Sequence, residues 1–330
     1  MSPDPLARLR QWPRLRLATL PTRLAQAPHL QAALGPGTPE ILLKMDAETG
    51  FGLGGNKVRK LEFELGEDRL DGVTHLITTG GPQSNHCRIT AAAAAHLGLK
   101  CILVVNGDEP PRPTGNALLH RLFGAEIRTV ASREARAGAM ADAAREVEGA
   151  GGRARVVPLG ASTPLGTLGY ALAAAELADQ WAALPAVAGT WVFVSASSCG
   201  TLAGLLLGFA LMGRSDVRIV GVSADVSADD MSAEARRLAA AGGELLGWRG
   251  AVPEEALFCD DGHVGPGYGV PTPEAQEAIT LVGRTLGTVL DPVYTGKAAA
   301  GMLSWIRSGR IPGGHRVAFV HTGGHPALLA

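Results

Sequence analysis

The sequence predicts an α/β protein of two open parallel sheets with flanking helices. Three observations carry this. Between residues 75 and 159, short runs rich in Val, Ile and Leu alternate with longer helical patterns, the order that strand, crossover helix and next strand impose on a parallel sheet. After a glycine-spaced link at 160–169 the alternation starts again. A composition of 46% apolar residues with 44 glycines and only 5% aromatics suits close-packed layers joined by tight turns and excludes a disordered chain. At 330 residues there is room for about two domains with their own cores.

Residues 1–40, rich in Pro and Arg, read as an irregular wrap over a domain surface, with Leu20-Pro21-Thr22 as a turn. Residues 41–45 read as a short strand that enters the turn Gly50-Phe51-Gly52-Leu53-Gly54-Gly55, and 57–70 as a helix. Strands are expected at 75–79, 101–105, 126–130 and 155–159, with helices at 84–97, 114–123 and 133–148 between them. Beyond the link a helix is expected at 170–182, strands at 191–195, 217–222 and 316–321, and helices at 201–212, 228–241, 273–286 and 297–308. The second sheet takes in the first forty or so residues. The first unit is then an insertion, which gives a large domain of 1–57 plus 165–330 and a small one of 58–164.

The formal net charge of −1, with no Lys/Arg run, argues against nucleic acid as the main partner. Cys87, Cys101, Cys199 and Cys259 have neither the paired spacing of a zinc site nor that of a disulfide framework, so no metal is expected and a reducing cytoplasm is the simplest setting. No apolar segment follows Arg8, Arg10, Arg14 and Arg16, so no signal peptide is expected. Residues 184–213 carry no charge, which is long enough for a membrane span, but Ser195-Ala196-Ser197-Ser198-Cys199-Gly200-Thr201 at their middle is polar and turn-like. They read as buried strand, loop and buried helix, and no membrane partner is expected.

The glycine turn ends in Asn56-Lys57-Val58-Arg59-Lys60. A lysine there faces the positive end of a helix, and in a pocket it loses solvation; both lower its pKa and favour a neutral amine that can condense with an aldehyde. A solvated basic helix start is the alternative. Gly50 to Gly55 also spells G-x-G-x-x-G, but the next strand candidate runs into Gly80-Gly81 without an acid to hold a ribose. A phosphate-binding P-loop fails too, because Asn56 separates glycine from lysine and Val58 offers no hydroxyl.

Three further turns share one logic. Gly80-Gly81-Pro82-Gln83-Ser84-Asn85-His86 lies between strand and helix, where Ser84, Asn85 and free N–H groups suit a carboxylate or make an ordinary cap. Ser197-Ser198-Cys199-Gly200-Thr201-Leu202-Ala203-Gly204 opens an apolar helix with small residues that let N–H groups approach an anion, with phosphate the expected guest; Cys199 reads as a small buried residue. Asp291-Pro292-Val293-Tyr294-Thr295-Gly296-Lys297 brings Thr295 as a cap and Tyr294 as a ring-packing or plain core tyrosine, and His321-Thr322-Gly323-Gly324 ends the last strand. Ligands of open α/β sheets sit at such carboxyl ends. An imine-forming lysine, a phosphate loop and ring-flanking hydroxyls together suit pyridoxal 5'-phosphate.

In this order and spacing GGNKVRKLE, GGPQSNHCR, SSCGTLAG, YGVPT, DPVYTGK and HTGG resemble the aminocyclopropane-carboxylate deaminase and D-cysteine desulfhydrase family, of the tryptophan synthase β-like fold (type II) of pyridoxal phosphate enzymes. The likeness runs from about residue 12 to the C-terminus. It implies that Lys57 carries the cofactor and moves the Cα proton; that Asn85 meets the ring hydroxyl; and that Lys60 with Ser198, Cys199, Gly200, Thr201 and Leu202 holds the phosphate. It further implies that Gln83, Ser84, Asn85 and His86 receive the substrate, that Tyr294 stacks on the ring with Tyr268 across the site, and that Thr295 and Thr322 lie by the pyridine nitrogen. A homodimer acting on a small amino acid is implied as well.

Members that open the cyclopropane ring resemble DPVYEGK and HLGG, with a glutamate that keeps the pyridine nitrogen protonated. Thr295 and Thr322 cannot hold that proton as firmly, which suffices when a good leaving group departs from Cβ. QSNHCR, with His86, resembles the desulfhydrase branch. The expected reaction is therefore β-elimination, with D-cysteine giving pyruvate, ammonia and sulfide; L-cysteate or another β-substituted amino acid is the alternative, and cyclopropane ring opening comes last. Met45 and Ala47 stand where the family usually has Arg and Asp, a departure that bears on the substrate.

Overall fold

The alternation of strand and helix produces two sheets. The structure, a computed structural model, describes residues 4–107 and 112–330. Its strands are β1 (Leu24–Gln26), β2 (Glu40–Lys44), β3 (His75–Gly80), β4 (Lys100–Asn106), β5 (Glu126–Val130), β6 (Ala154–Val156), β7 (Thr190–Ala196), β8 (Val217–Ser223), β9 (Leu257–Asp260) and β10 (Arg316–Val320). Its helices are α1 (Pro5–Gln11), α2 (Pro28–Leu34), α3 (Asn56–Glu64), α4 (Asn85–His96), α5 (Gly115–Leu122), α6 (Ala135–Gly149), α7 (Pro164–Trp181), α8 (Gly200–Leu211), α9 (Ala228–Leu245), α10 (Pro273–Leu286) and α11 (Thr295–Arg307). One sheet has the order β1-β2-β10-β7-β8-β9, the other β5-β4-β3-β6. All neighbours are parallel except the β1–β2 pair. The strands of the smaller sheet, β3 to β6, fall between β2 and β7 in the chain.

Side chains alternate across the larger sheet. Val192 and Val194 face α7, α8 and α9, while Trp191 and Phe193 face α2, α10 and α11. Covering both faces explains why these strands read as continuous apolar runs. Helix α8 is buried along its length and apolar all round, because sheet, α7 and α9 enclose it. Glycine permits the tightest approaches. A Cβ at Gly204 would lie 2.3 Å from Tyr170 Cβ, and one at Gly169 would lie 2.2 Å from the Arg59 carbonyl oxygen. The second of these seats α3 directly on α7.

Behind α3 lies a buried ionic cluster. Arg59 donates to both oxygens of Asp46 (2.8 and 2.9 Å) and both of Glu176 (3.0 and 2.9 Å), and Tyr170 Oη donates to Asp46 (2.5 Å). Lys44 completes it through Glu176 and Gln180. Two cations meet two anions, so the cluster is neutral.

Some local expectations fail for physical reasons. Residues 1–40 are more than a wrap: Pro5 and Pro28 each open a helix at a position where the missing N–H costs nothing, and β1 pairs with β2. The strand expected at 155–159 stops at Val156 as the chain nears Pro158, and the helix expected at 57–70 ends at Glu64, before Gly66. Helix α7 begins earlier than expected, because Thr163 caps the Gly166 N–H (2.9 Å) ahead of a proline start. Strand β9, four residues at a sheet edge, was too short to show in the pattern.

Candidate active site

Register puts the ends of the larger sheet on one rim. Lys44, Val320, Val194 and Gly221 are lateral neighbours, so the chain leaves β2, β10, β7 and β8 side by side. The carboxyl ends of β3, β5 and β6 approach from the smaller sheet. Between them opens a cleft, at the strand ends where open α/β sheets place their ligands.

Lys57, the second residue of α3, lines this cleft and is partly open to it. No hydrogen bond or ion pair holds its amine among the described residues. Burial by the cleft walls brings its pKa from 10.5 down to about 8. Its turn is pinned from the other sheet's side. Arg88 of α4, 1% exposed, donates to the carbonyls of Gly52 and Gly54 (3.0 Å for the latter) and to Asn85 Oδ1 (3.4 Å). With no carboxylate beside it, burial lowers the Arg88 pKa to about 10.

Ser84 caps α4, its Oγ accepting from the Cys87 N–H (3.2 Å), and its hydroxyl also meets the Cys87 thiol. Asn116 Nδ2 donates to Asn85 Oδ1 (2.9 Å). With that oxygen engaged, the Asn85 amide presents its NH₂ as the free donor. His86 lines the cleft beneath; burial first, then the charges of Lys57 and Lys60, hold its pKa far below the usual value. The Thr78 hydroxyl donates to the Val157 carbonyl (2.7 Å), so His86 Nε2 is the donor in its 2.8 Å contact with Thr78. Gln83 does not line the cleft: its carboxamide oxygen accepts from the Asn116 N–H (2.8 Å) and its NH₂ donates to the Thr114 carbonyl (3.1 Å).

Hydrogen-bond donors gather beneath the cleft at the start of α8. Lys60 is fully buried, and its Nζ donates to Ser162 Oγ (2.8 Å). No carboxylate pairs with it among the described residues, and burial followed by the charge of Lys57 pushes its pKa well down. Ser162 Oγ also accepts from the Gly200 N–H (3.2 Å) and lies 2.7 Å from Ser198 Oγ. With both acceptor sites used, Ser162 donates to Ser198, whose own proton is left free. Cys199 holds the left-handed conformation at φ 59, and α8 begins at Gly200. The N–H groups of Thr201 and Leu202, which no turn of helix precedes, stay without hydrogen bonds. Burial pushes the Cys199 thiol up to about 12, which disfavours the thiolate. A Cβ at Gly200 would lie 2.7 Å from Ser162 Oγ and 2.8 Å from Lys60 Nζ.

At the far end Thr322 Oγ1 and Ser195 Oγ lie 3.1 Å apart and both line the cleft. Thr295 is fully buried and does not line it; its hydroxyl donates to Asp291 Oδ2 (2.7 Å). Asp291, which does, also accepts from the N–H groups of Val293 (2.9 Å), Tyr294 (2.8 Å) and Thr295 (3.0 Å). Tyr294 and Tyr268 meet edge to face at 5.9 Å with their hydroxyls 2.5 Å apart. Burial raises the Tyr294 pKa well above its ordinary value.

Arg133, Arg136, Ser195 and Asp225 also line the cleft, with Ser162 behind its wall against Lys60 and Gly200; none was singled out as a site residue in the sequence. Ser162 follows β6 and the arginines follow β5. The rule that ligands sit beyond strand ends, applied to every strand, would have found them.

A family model of pyridoxal-phosphate dependent enzymes matches residues 15–323. A solved ACC deaminase homologue is 35% identical over 100% of this chain and 97% of its own, with a TM-score of 0.87. A pyridoxal 5'-phosphate-dependent aspartate racemase (17% identity, 92% and 90% covered, TM-score 0.65) and a fungal L-serine ammonia-lyase from Rhizomucor miehei (18%, 95% and 96%, 0.65) share the fold.

The cleft fits the cofactor of that family. A buried lysine without a counter-anion, free N–H groups and a glycine that no side chain can replace form a cradle for phosphate, and Lys57 offers a readily neutralised amine to an aldehyde. With the family match spanning nearly the whole chain and this cradle under its lysine, the protein belongs to the pyridoxal-phosphate dependent enzymes, fold type II.

Proposed function

We propose that this protein is a lyase that removes the β-substituent from a small amino acid, with D-cysteine as its leading substrate. The cleft lies between two domains, 1–57 with 165–330 and 58–164. The observation that carries the reading is the free Lys57 amine in the same cleft as the Ser84 hydroxyl and the Asn85 amide. When bound, pyridoxal phosphate supplies an electron sink for the pair released at Cα. Lys60, Ser198 and the N–H groups of Thr201 and Leu202 would hold its phosphate, Asn85 its ring oxygen, and Lys57 its aldehyde carbon.

Ser84 and Asn85 orient the substrate carboxylate at the start of α4. Lys57 takes the Cα proton as the Cβ–sulfur bond breaks, and the sulfur leaves with the bonding pair. The Tyr268–Tyr294 hydroxyl pair lies across the cleft, placed to hand a proton to the departing group. With one water consumed, the products are pyruvate, ammonia and hydrogen sulfide, and nothing is oxidised or reduced.

The far end of the cleft favours elimination over cyclopropane ring opening. Ser195 and Thr322 offer hydroxyls there, while Asp291 is already taken by three N–H groups and the Thr295 hydroxyl. A hydroxyl does not keep a pyridine nitrogen protonated, so the sink is weaker and a good leaving group is needed. Thr295 then acts through Asp291, and Thr322 directly. L-Cysteate, releasing sulfite, is a second reading, favoured by the two arginines at the cleft. The sequence resemblance also supports a cytoplasmic homodimer.

The test is pyruvate release by the yellow holoenzyme from D-cysteine, L-cysteine and L-cysteate, with Lys57→Ala as control. Release from D-cysteine, abolished in the control, is the expected result. Release from none of the three by a cofactor-loaded enzyme would overturn the lyase reading.

A further inference from the structure

Arg133 and Arg136 stand on the β5–α6 side of the cleft and both line it. Their partners differ. Arg133 faces across to the larger sheet, with Nη1 3.6 Å from Asp225 Oδ2 and its guanidinium carbon 4.7 Å from the Tyr268 ring centre. Asp225 follows β8, and its other oxygen, Oδ1, is buried without a partner.

Arg136 makes no ion pair with a carboxylate among the described residues; the acid that acts on it is the solvent-exposed Glu134. Arg136 Nη2 donates to Asn106 Oδ1, a neutral amide, and its Nε is buried with no partner. Within the cleft the two guanidinium groups face one lining carboxylate on this wall, Asp225; Glu134 also acts on both arginines, but it is exposed to solvent and does not line the cleft. Burial, followed by repulsion from Arg133, lowers the Arg136 pKa. The phosphate end is not what neutralises it, since Lys60 and the start of α8 already serve that anion. Nor is the carboxylate end, which has Ser84, Asn85 and the start of α4.

A third anionic group is therefore the missing partner. Resting on the elimination reading above, we infer that Arg136, assisted by Arg133, selects substrates whose β-substituent is negatively charged while bound. A sulfonate carries that charge permanently, whereas a thiol acquires it by losing a proton, which a nearby guanidinium favours. The planar donor fork of arginine suits a sulfonate or carboxylate in particular.

The test uses the cofactor-loaded protein and reads binding, so that it does not depend on turnover. Aspartate and asparagine have nearly the same shape and differ in side-chain charge. Calorimetric titration with each, in both enantiomers, is expected to show aspartate binding at least about tenfold tighter in the better-bound enantiomer. Arg136→Gln should collapse that ratio toward one, and Arg136→Lys should restore part of it. Asp225→Asn, which removes the opposing charge without touching Arg136, should raise the ratio. A ratio of one in the wild type, or the same ratio in Arg136→Gln, would overturn the inference; equal losses for both ligands would assign Arg136 to the shared α-carboxylate.

Turnover separates the two sources of charge and the two readings. Cysteate outpacing cysteine at neutral pH points to a permanent anion, and cysteine gaining on it as pH rises points to a thiolate. If β-chloroalanine, a reactive probe of elimination, yields no pyruvate while aspartate is still preferred, the lyase reading fails and the charge preference stands.

Discussion

The pKa of Lys57 in the cofactor-free protein gives a direct measure of what the cleft does to its amine. An ordinary lysine titrates at 10.5, and burial brings Lys57 to about 8. The gap, about 2.5 pH units, corresponds to about 3 kcal/mol of lost preference for the charged form. At pH 8 about half of the Lys57 amines are then neutral, against about 0.3% of a solvated lysine. The assay is the rate at which yellow colour develops when cofactor-free protein meets pyridoxal phosphate, followed from pH 6.5 to 10. It should level off with an apparent pKa near 8. The same shift is a stability statement. Because the folded pKa is the lower one, the unfolded chain alone holds this proton between about 8 and 10.5, so stability rises with pH across that window and is lost as pH falls through it. The wild-type slope minus that of Lys57→Met isolates the term. A rate still climbing steeply beyond pH 9.5, with no slope difference between the two proteins, would show a solvated amine and refute the reasoning.

Two other changes probe the frame around this lysine. Gly200→Ala places a methyl group 2.7 Å from Ser162 Oγ and 2.8 Å from Lys60 Nζ, and should weaken pyridoxal phosphate binding at least about tenfold, or 1.4 kcal/mol, in a spectroscopic titration; unchanged affinity would mean that the phosphate lies elsewhere. Arg59→Met strands Asp46 and Glu176 without their guanidinium and should cost about 3–5 kcal/mol, a fall in Tm of about 4–7 °C for 330 residues. Arg59 is the charge that most holds the Asp46 carboxyl below its ordinary range, so the stabilisation is present above the usual carboxylate pKa and fades as pH falls through the folded one. Equal melting of variant and wild type at neutral pH would show that the cluster is energetically neutral.

The sequence made most of the cleft legible because its parts are local. Lys57, Ser84, Asn85 and the turn from Ser198 to Leu202 each announce themselves by standing between an apolar strand and a helix start, and the structure brings them to one cleft. What escaped depends on direction. Gln83 and Thr295 belong to those turns, yet their side chains point to Asn116 and Asp291 instead, which no spacing reveals. Arg133 and Arg136 read as ordinary charges at the start of a helix; only the pairing of β5 with β4 carries them to the cleft. In the first forty residues Pro and Arg content hid two short helices whose starts are set by Pro5 and Pro28.

Arg88 ties the turn before Lys57 to Asn85, and the consequence reaches beyond a single catalytic cycle. One guanidinium thus fixes both the turn that precedes Lys57 and the first residue of α4, so a substitution that relocates either disturbs the other. Such a shared support constrains diversification: new substrates are reached more readily through side chains that hang from independent loops. Arg133 and Asp225, each on its own loop, form a part of the site that can change without moving this support.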